Sequence, residues 1–222
     1  MLNLNVKTLG MLVVIFSIYS STTNARAAAP WIGETLTGVL CLGKGQGYGP
    51  YDYTKRNDLT SELHLVESAH FKPGVEMLRE GTSTKDATYA DLDYTLRAFP
   101  NHHRALNTLI RFLRTNVDYR KTSLSPPECY FLRATNFAPK DAITHMLYGN
   151  FLHRLKEYEL ALQAYKTAEK YSPSNIQLAY NIGLLHFDMQ NFKEAKKYAL
   201  KAYNKNFPFQ GLKNKLKKVD FW

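Results

Sequence analysis

Cysteine is nearly missing. Two of 222 residues carry a thiol, which is too few for a zinc ribbon or a cluster framework. Acids are the minority charge. Nineteen Asp and Glu face 29 Lys and Arg, for a formal charge of +10. After residue 27 no apolar run approaches the roughly 20 residues that cross a bilayer. There is no nucleophile elbow, no G-K-[ST] and no recognised Ser/His/Asp or Cys/His signature. What is present is a 45% apolar share, enough to fill a core and to exclude wholesale disorder. The length suits one ordinary domain or a short array of repeats.

Residues 1–27 read as an address. Lys7 is followed by the apolar run 11–19, the polar stretch 20–24, and small residues Ala25 and Ala27 around Arg26. This is the pattern of a secretory signal peptide. The apolar run is short for a membrane anchor, the alternative. The expectation is an exported chain, 28–222, periplasmic in a Gram-negative bacterium and secreted otherwise. An oxidising compartment permits a disulfide, and Cys41 with Cys129 is the candidate pair. The alternative is two buried free thiols.

The C-terminal half repeats itself. Gly149 and Gly183 are 34 residues apart, as are Tyr158 and Phe192, Ala161 and Ala195, and Ala168 and Ala202. Small residues in phase let antiparallel helices approach closely. Gly149 is expected to meet Ala161, and Gly183 to meet Ala195, at the two crossings. Tyr158 and Phe192 are expected to plug the turns between helices. With Leu152, Tyr165 and Pro173 in the first copy, and Ile182, His186 and Pro208 in the second, the chain resembles the tetratricopeptide repeat (TPR) family, whose period is 34 residues. The fold class expected is all-α: a TPR-like helical-hairpin solenoid with an irregular N-terminal segment and a C-terminal capping helix. Two TPR repeats cover 142–209, with helices near 142–155, 157–171, 176–189 and 192–205. The runs 97–106 and 207–212 are similar to an uncharacterised group of exported bacterial TPR proteins, a likeness that implies no activity.

Two repeats cannot stand alone. Upstream, 61–141 reads as degenerate hairpins. A pair is expected from 73–80 to 87–98. An amphipathic helix follows over 102–115, through Leu106, Leu109, Ile110 and Leu113, with Asn101 as its N-cap. Pro126 and Pro127 open a helix over 128–134. Downstream, 210–222 contains a basic capping helix with Leu212, Leu216 and Val219 on one face. Residues 28–60 are loop-rich, with one short strand near 35–42. Glycines 43, 45, 47 and 49 follow it. They alternate, and Pro50 rather than a helix comes next, so they make a turning loop and not a dinucleotide motif.

Histidine chemistry has a weak claim. His64 and His70 are six apart and His102 and His103 are adjacent, so neither spacing gives an i, i+4 ligand pair. Glu67, Glu76 and Glu80 would have to join them from elsewhere. No cofactor, metal site or catalytic residue is read from the sequence. An enzyme using these histidines is the least favoured alternative.

The resemblance implies a better site. In the family the first helix of each repeat lines a concave groove for peptides. The matching positions are Met146, Asn150, His153 and Arg154, then Gln177, Tyr180, Asn181, Leu184 and Asp188. Some members clamp a C-terminal carboxylate with lysines, arginine and two asparagines. Asn150 and Asn181 match the asparagines, while Met146 replaces a lysine. The function expected is a non-catalytic exported adaptor that binds a protein or peptide partner in this groove. The charge lies elsewhere. Residues 193–222 hold nine lysines against two acids, the leader carries +2, and 28–192 carry +1. Lys193, Lys196, Lys197, Lys201, Lys213 and Lys217 form a basic surface. It is either a solvated end of the solenoid or a contact for an anionic membrane or surface. Phe221 and Trp222 would insert there or pack back. Nucleic acid is not an expected partner.

Overall fold

The computed structural model describes residues 28–79, 81, 83–121 and 125–222. The expected leader, 1–27, and Glu80 lie outside the described residues. Among the described residues the regular elements are helices. They run α1 (Thr60–His70), α2 (Pro73–Met77), α3 (Lys85–Ala98), α4 (His103–Phe112) and α5 (Pro127–Phe137). Two hairpins follow, α6 (Ala142–Arg154) with α7 (Tyr158–Tyr171), and α8 (Ile176–Asp188) with α9 (Phe192–Tyr203). Helix α10 (Gly211–Lys217) ends the array. The fold is the all-α hairpin solenoid that the repeat implied.

Local chemistry sets the helix ends. The Asp141 carboxylate accepts from the N–H groups of Ile143 and Thr144 and starts α6; Asn175 accepts from Leu178 and starts α8. Both satisfy donors that a helix N-terminus leaves open. The turns inside the hairpins also repeat. Lys156 and Gln190 both adopt a left-handed φ, 65° and 62°. The following N–H groups donate back, Glu157 to Leu152 O and Asn191 to His186 O. Such closures satisfy orphan carbonyls at a helix C-terminus.

Small residues control the hairpin crossings, though not all as expected. A Cβ on Gly149 would come within 2.4 Å of the Tyr165 ring. Its close neighbour is therefore Tyr165, one helical turn beyond the expected Ala161. Ala161 is fully buried all the same. A Cβ on Gly183 would lie 2.6 Å from Leu212 Cδ2 and 3.3 Å from Ala195 O. Gly183 thus admits both α9 and the cap helix. Leu212 and Leu216 are fully buried. Phe221 and Trp222 pack back, with the Phe221 ring 5.0 Å from Phe192 and Trp222 5.7 Å from Tyr203.

The N-terminal half is built differently. Residues 28–55 form a strap laid over the ends of α3 and α5. The short strand expected near 35–42 is replaced by a tight turn with one antiparallel bridge, Glu34 to Leu40. Thr35 N donates to Val39 O, and Gly38 takes a φ of 77°, so the chain reverses before a ladder can grow. Cys41 and Cys129 are joined by a disulfide across 88 residues. In the chain-entropy picture, a closed loop of that size stabilises the fold by about 4–5 kcal/mol.

The strap also completes α3. Gln46 Nε2 donates to Arg97 O at 2.6 Å, and Tyr51 N donates to Ala98 O at 2.8 Å. Arg133 NH1 donates to Leu96 O at 2.7 Å. Three carbonyls that a helix end leaves open are thereby satisfied. Gly49 (φ 89°) must be glycine, because a Cβ would sit 2.4 Å from Ala98 O. Arg133 is 1% exposed, and its Nε also donates to Ala29 O. Burial, with the Arg97 charge nearby, pushes its pKa down to about 10. Backbone carbonyls and the Trp31 ring, 4.9 Å away, hold the guanidinium.

Asn101 is not the N-cap of α4. That role falls to His102, whose Nδ1 accepts from Ala105 N. Asn101 is instead buried and bridging. It accepts from Tyr53 N and donates to the Asp52 and Asp141 carboxylates. The upstream pairing also differs from expectation. Helix α2 has five residues, and α1, which was not anticipated, packs along α3.

Candidate functional site

Helices α4, α6 and α8 lie side by side and leave a concave cavity of about 480 Å³. Met146, Asn150, His153 and Arg154 reach it from α6; Gln177, Asn181 and Leu184 reach it from α8. A hydrogen-bonded amide ladder crosses its floor. Gln177 Nε2 donates to Asn181 Oδ1, and Asn181 Nδ2 donates to Asn150 Oδ1, each at 2.8 Å. Tyr165 OH donates to the same Asn150 oxygen at 2.8 Å. The ladder spans two consecutive repeats and presents amides where a peptide backbone would need partners.

Two of the named positions sit elsewhere. Tyr180 is buried beneath the cap, its ring 4.4 Å from Phe207. Asp188 lies at the rim, where it accepts from His153 Nε2 at 3.0 Å and pairs with Lys215 at 3.3 Å. Asn107, Ile110 and Arg111 of α4 complete the wall. They were missed because α4 was assigned to a pair outside the two regular repeats. Its own helical spacing, one turn from Asn107 to Arg111, carries the signal.

The cavity is electropositive. Arg111 and Arg154 line it, and among the described residues no carboxylate does. Burial pushes the Arg154 guanidinium below its ordinary pKa, and the nearby Arg114 charge adds to that. Burial also holds the His153 imidazole below its usual value, against the opposing pull of Asp188. The groove can therefore receive an extended chain with hydrogen-bonding groups and negative charge.

The basic surface is distributed along α9 and α10. Lys197 pairs with Glu194 at 3.0 Å and Lys201 with Glu169 at 2.8 Å. Lys213 lies 5.1 Å above the Trp222 ring. Lys193 and Lys217 are exposed, and Lys196 is half-buried. His70, His102 and His103 serve the fold. His102 Nε2 meets Glu67 at 2.9 Å, His103 Nε2 meets Asp141 at 2.6 Å, and His70 Nδ1 meets Asp91 at 2.9 Å. Among the described residues, no group of three or more His, Cys, Asp or Glu side chains is placed to hold a metal ion.

The family described as TPR repeat matches residues 149–190, the stretch that contains the ladder, the turn at Lys156 and the second glycine of the repeat. A tetratricopeptide repeat is present over these residues. A TPR repeat-containing protein of Methanocaldococcus jannaschii is 38% identical over 78 residues, which cover 35% of this chain and 14% of that protein. The chain thus spans about one seventh of that curated relative. Two solved structures share the fold at low identity. MamA 41-end from Desulfovibrio magneticus RS-1 aligns at 18% identity over 72% of this chain and 86% of its own, with a TM-score of 0.51. An RS-1 MamA double mutant gives 18%, 72%, 85% and 0.50. The matched repeat covers the end of α6, all of α7 and the whole of α8, and α6 and α8 form the concave face with α4. The strap, the disulfide and the long α4–α5 connection are additions to the repeat.

Proposed function

We propose that this TPR protein is a non-catalytic adaptor that binds an extended segment of a partner protein in the concave groove. The observation that carries this reading is the Gln177–Asn181–Asn150 ladder beside Arg111 and Arg154. Amides can hydrogen-bond a peptide backbone whatever its side chains, and guanidiniums select acidic residues or a terminal carboxylate. Pull-down from the native source tests it. Recovery of the partner is lost with Asn150→Ala combined with Arg154→Glu. Unchanged recovery from a folded double variant moves the site elsewhere.

Export is part of the proposal. The leader pattern of 1–27 and the Cys41–Cys129 disulfide support an oxidising compartment. A cytoplasmic location in cell fractionation, with both thiols reduced, would oppose it. A second reading is association with an anionic membrane or surface. It is supported by Lys193, Lys205, Lys217 and Lys218, which are exposed and make no ion pair among the described residues. Anionic-vesicle binding that ignores salt and charge reversal at Lys193 and Lys217 would exclude it.

A further inference from the structure

A second cavity, of about 730 Å³, lies beyond the groove, where the strap turn faces the C-terminal ends of α4 and α6 and the start of α5. That volume falls in the range of about 300–1,000 Å³ typical of small-molecule sites. The strap supplies Val39, Thr35 and Thr37. The helices supply Ile110, Leu113, Phe151 and Leu155, and the connection after α4 supplies Val117. Val39 and Val117 are 57% and 63% exposed, so the apolar wall is open to a ligand. The strap turn is held in place by the Cys41–Cys129 bond and by Ser125 Oγ, which donates to Leu42 O at 2.8 Å.

Polar groups on this wall differ in kind from those in the groove. The Thr35 and Thr37 hydroxyls lie 3.0 Å apart, and Thr35 Oγ1 also accepts from Val39 N. They are engaged within the turn. Among the described residues no amide side chain lines the cavity. A peptide, with a donor and an acceptor at every residue, would leave its backbone unsatisfied there. At one edge stand Arg154, which also lines the groove, and Arg114, both exposed and neither ion-paired among the described residues. The charge acting on Arg154 is that of Arg114, a like charge, and no carboxylate offsets it. Two acids also line the cavity. Glu128 is 4% exposed and already engaged, and Asp118 sits on the turn Val117–Lys121.

We propose that this cavity binds a small anionic amphiphile, an apolar chain bearing a carboxylate, with the chain against Val39, Leu113 and Phe151 and the carboxylate between Arg114 and Arg154. The apolar walls take up a tail that has no hydrogen-bonding needs. The paired guanidiniums meet a planar carboxylate in bidentate geometry and relieve their mutual repulsion. The strap and the long connection build the pocket, so it goes beyond the peptide groove, with which it shares Arg154 and Ile110.

The probe is sodium dodecanoate, titrated calorimetrically into the oxidised full chain below its micelle concentration. Acetate tests the head alone, and dodecyltrimethylammonium tests the tail with the opposite charge. Saturable one-to-one binding is expected for dodecanoate only. Arg114→Glu and Val39→Asp each weaken it at least about tenfold, because each removes a contact of one chemistry. Both positions are exposed, and an unchanged near-ultraviolet dichroism spectrum confirms that the variants fold. Asn150→Ala with Gln177→Ala disables the groove and leaves dodecanoate affinity unchanged. Absent saturation by dodecanoate, equal binding of the cationic amphiphile, or indifference to both cavity variants would overturn the proposal. So would Arg114-dependent binding of an apolar-ended peptide in place of dodecanoate.

Discussion

The two halves of the molecule solve the same packing problem with different chemistry. From α6 to α10 the contacts are made by volume. Gly149, Gly183, Ala161, Ala195, Ala168 and Ala202 let helices approach, and few polar atoms are buried at the crossings. From the strap to α5 an apolar core is supplemented by specific buried polar groups. Arg133, Asn101 and Gln46 hold the strap backbone, and a disulfide ties it down. Repetition suffices where the same hairpin recurs. An irregular strap has no repeating partner, so its backbone groups must be satisfied one by one.

This contrast can be broken experimentally. The largest effect belongs to the disulfide. Cys41→Ser with Cys129→Ser lowers unfolding free energy by about 4 kcal/mol, read by denaturant titration against the oxidised protein. A change under about 1 kcal/mol would mean that polar contacts alone hold the strap. Next comes Arg133→Met, which keeps much of the side-chain volume and leaves the carbonyls of Ala29 and Leu96 without their donor. It costs about 3 kcal/mol in the same assay, as expected for buried acceptors left unpaired. In the repeats the sensitive quantity is volume. Gly149→Ala drives a methyl into the Tyr165 ring and destabilises by about 2 kcal/mol. Gly45→Ala, where a Cβ meets nothing within 4 Å, stays within about 0.5 kcal/mol of wild type.

Acid should weaken both halves, because burial depresses His153 and His186 in the repeats as it does His102. Burial lowers the His102 pKa against the pull of Glu67, and the ring is neutral because Nδ1 accepts from Ala105. A histidine depressed on folding stabilises the protein above its unfolded value, 6.5, and loses that contribution as pH falls through its folded value. Burial raises the Glu67 and Asp141 carboxyls, but hydrogen bonds from His102 to Glu67, and from His103, Thr144 and Asn101 to Asp141, leave both below their ordinary values. Their contribution is present above the unfolded values of 4.5 and 3.8 and is lost below them. Melting temperature is therefore flat above about pH 6.5 and falls in two stages. Rising stability on acidification from pH 7 to 5 would contradict this. The smallest effect is at the surface: Lys201→Ala, which removes an exposed pair with Glu169, changes stability by under about 0.5 kcal/mol.

The same contrast explains what could be read from the chain. The hairpins were legible because period, small residues and caps all repeat. Asn175 before α8 and Pro127 at the first turn of α5 act locally, within a few residues of their signal. The strap was not legible in detail. Asn101 looks like a cap in sequence, yet its partners are Asp52 and Asp141, 49 and 40 residues away. The Arg133 contact with Ala29 spans 104 residues. Such partners leave no local pattern. In the groove, the positions carried by the repeat were named from the family likeness. Tyr180 was diverted under the cap by Phe207, and Asn107 and Arg111 came from a helix outside the regular repeats.

The central claim is that the groove, and not the lysine-rich end, takes the partner. Site-specific photocrosslinking in the native source tests it most directly, with a benzophenone side chain at Met146 in the groove, outside the amide ladder, or at Lys193 on α9. One partner adduct is expected from position 146, lost when Asn150→Ala and Arg154→Glu are added, and none from position 193. Equal adducts from both positions, or an adduct from 193 alone, would contradict it.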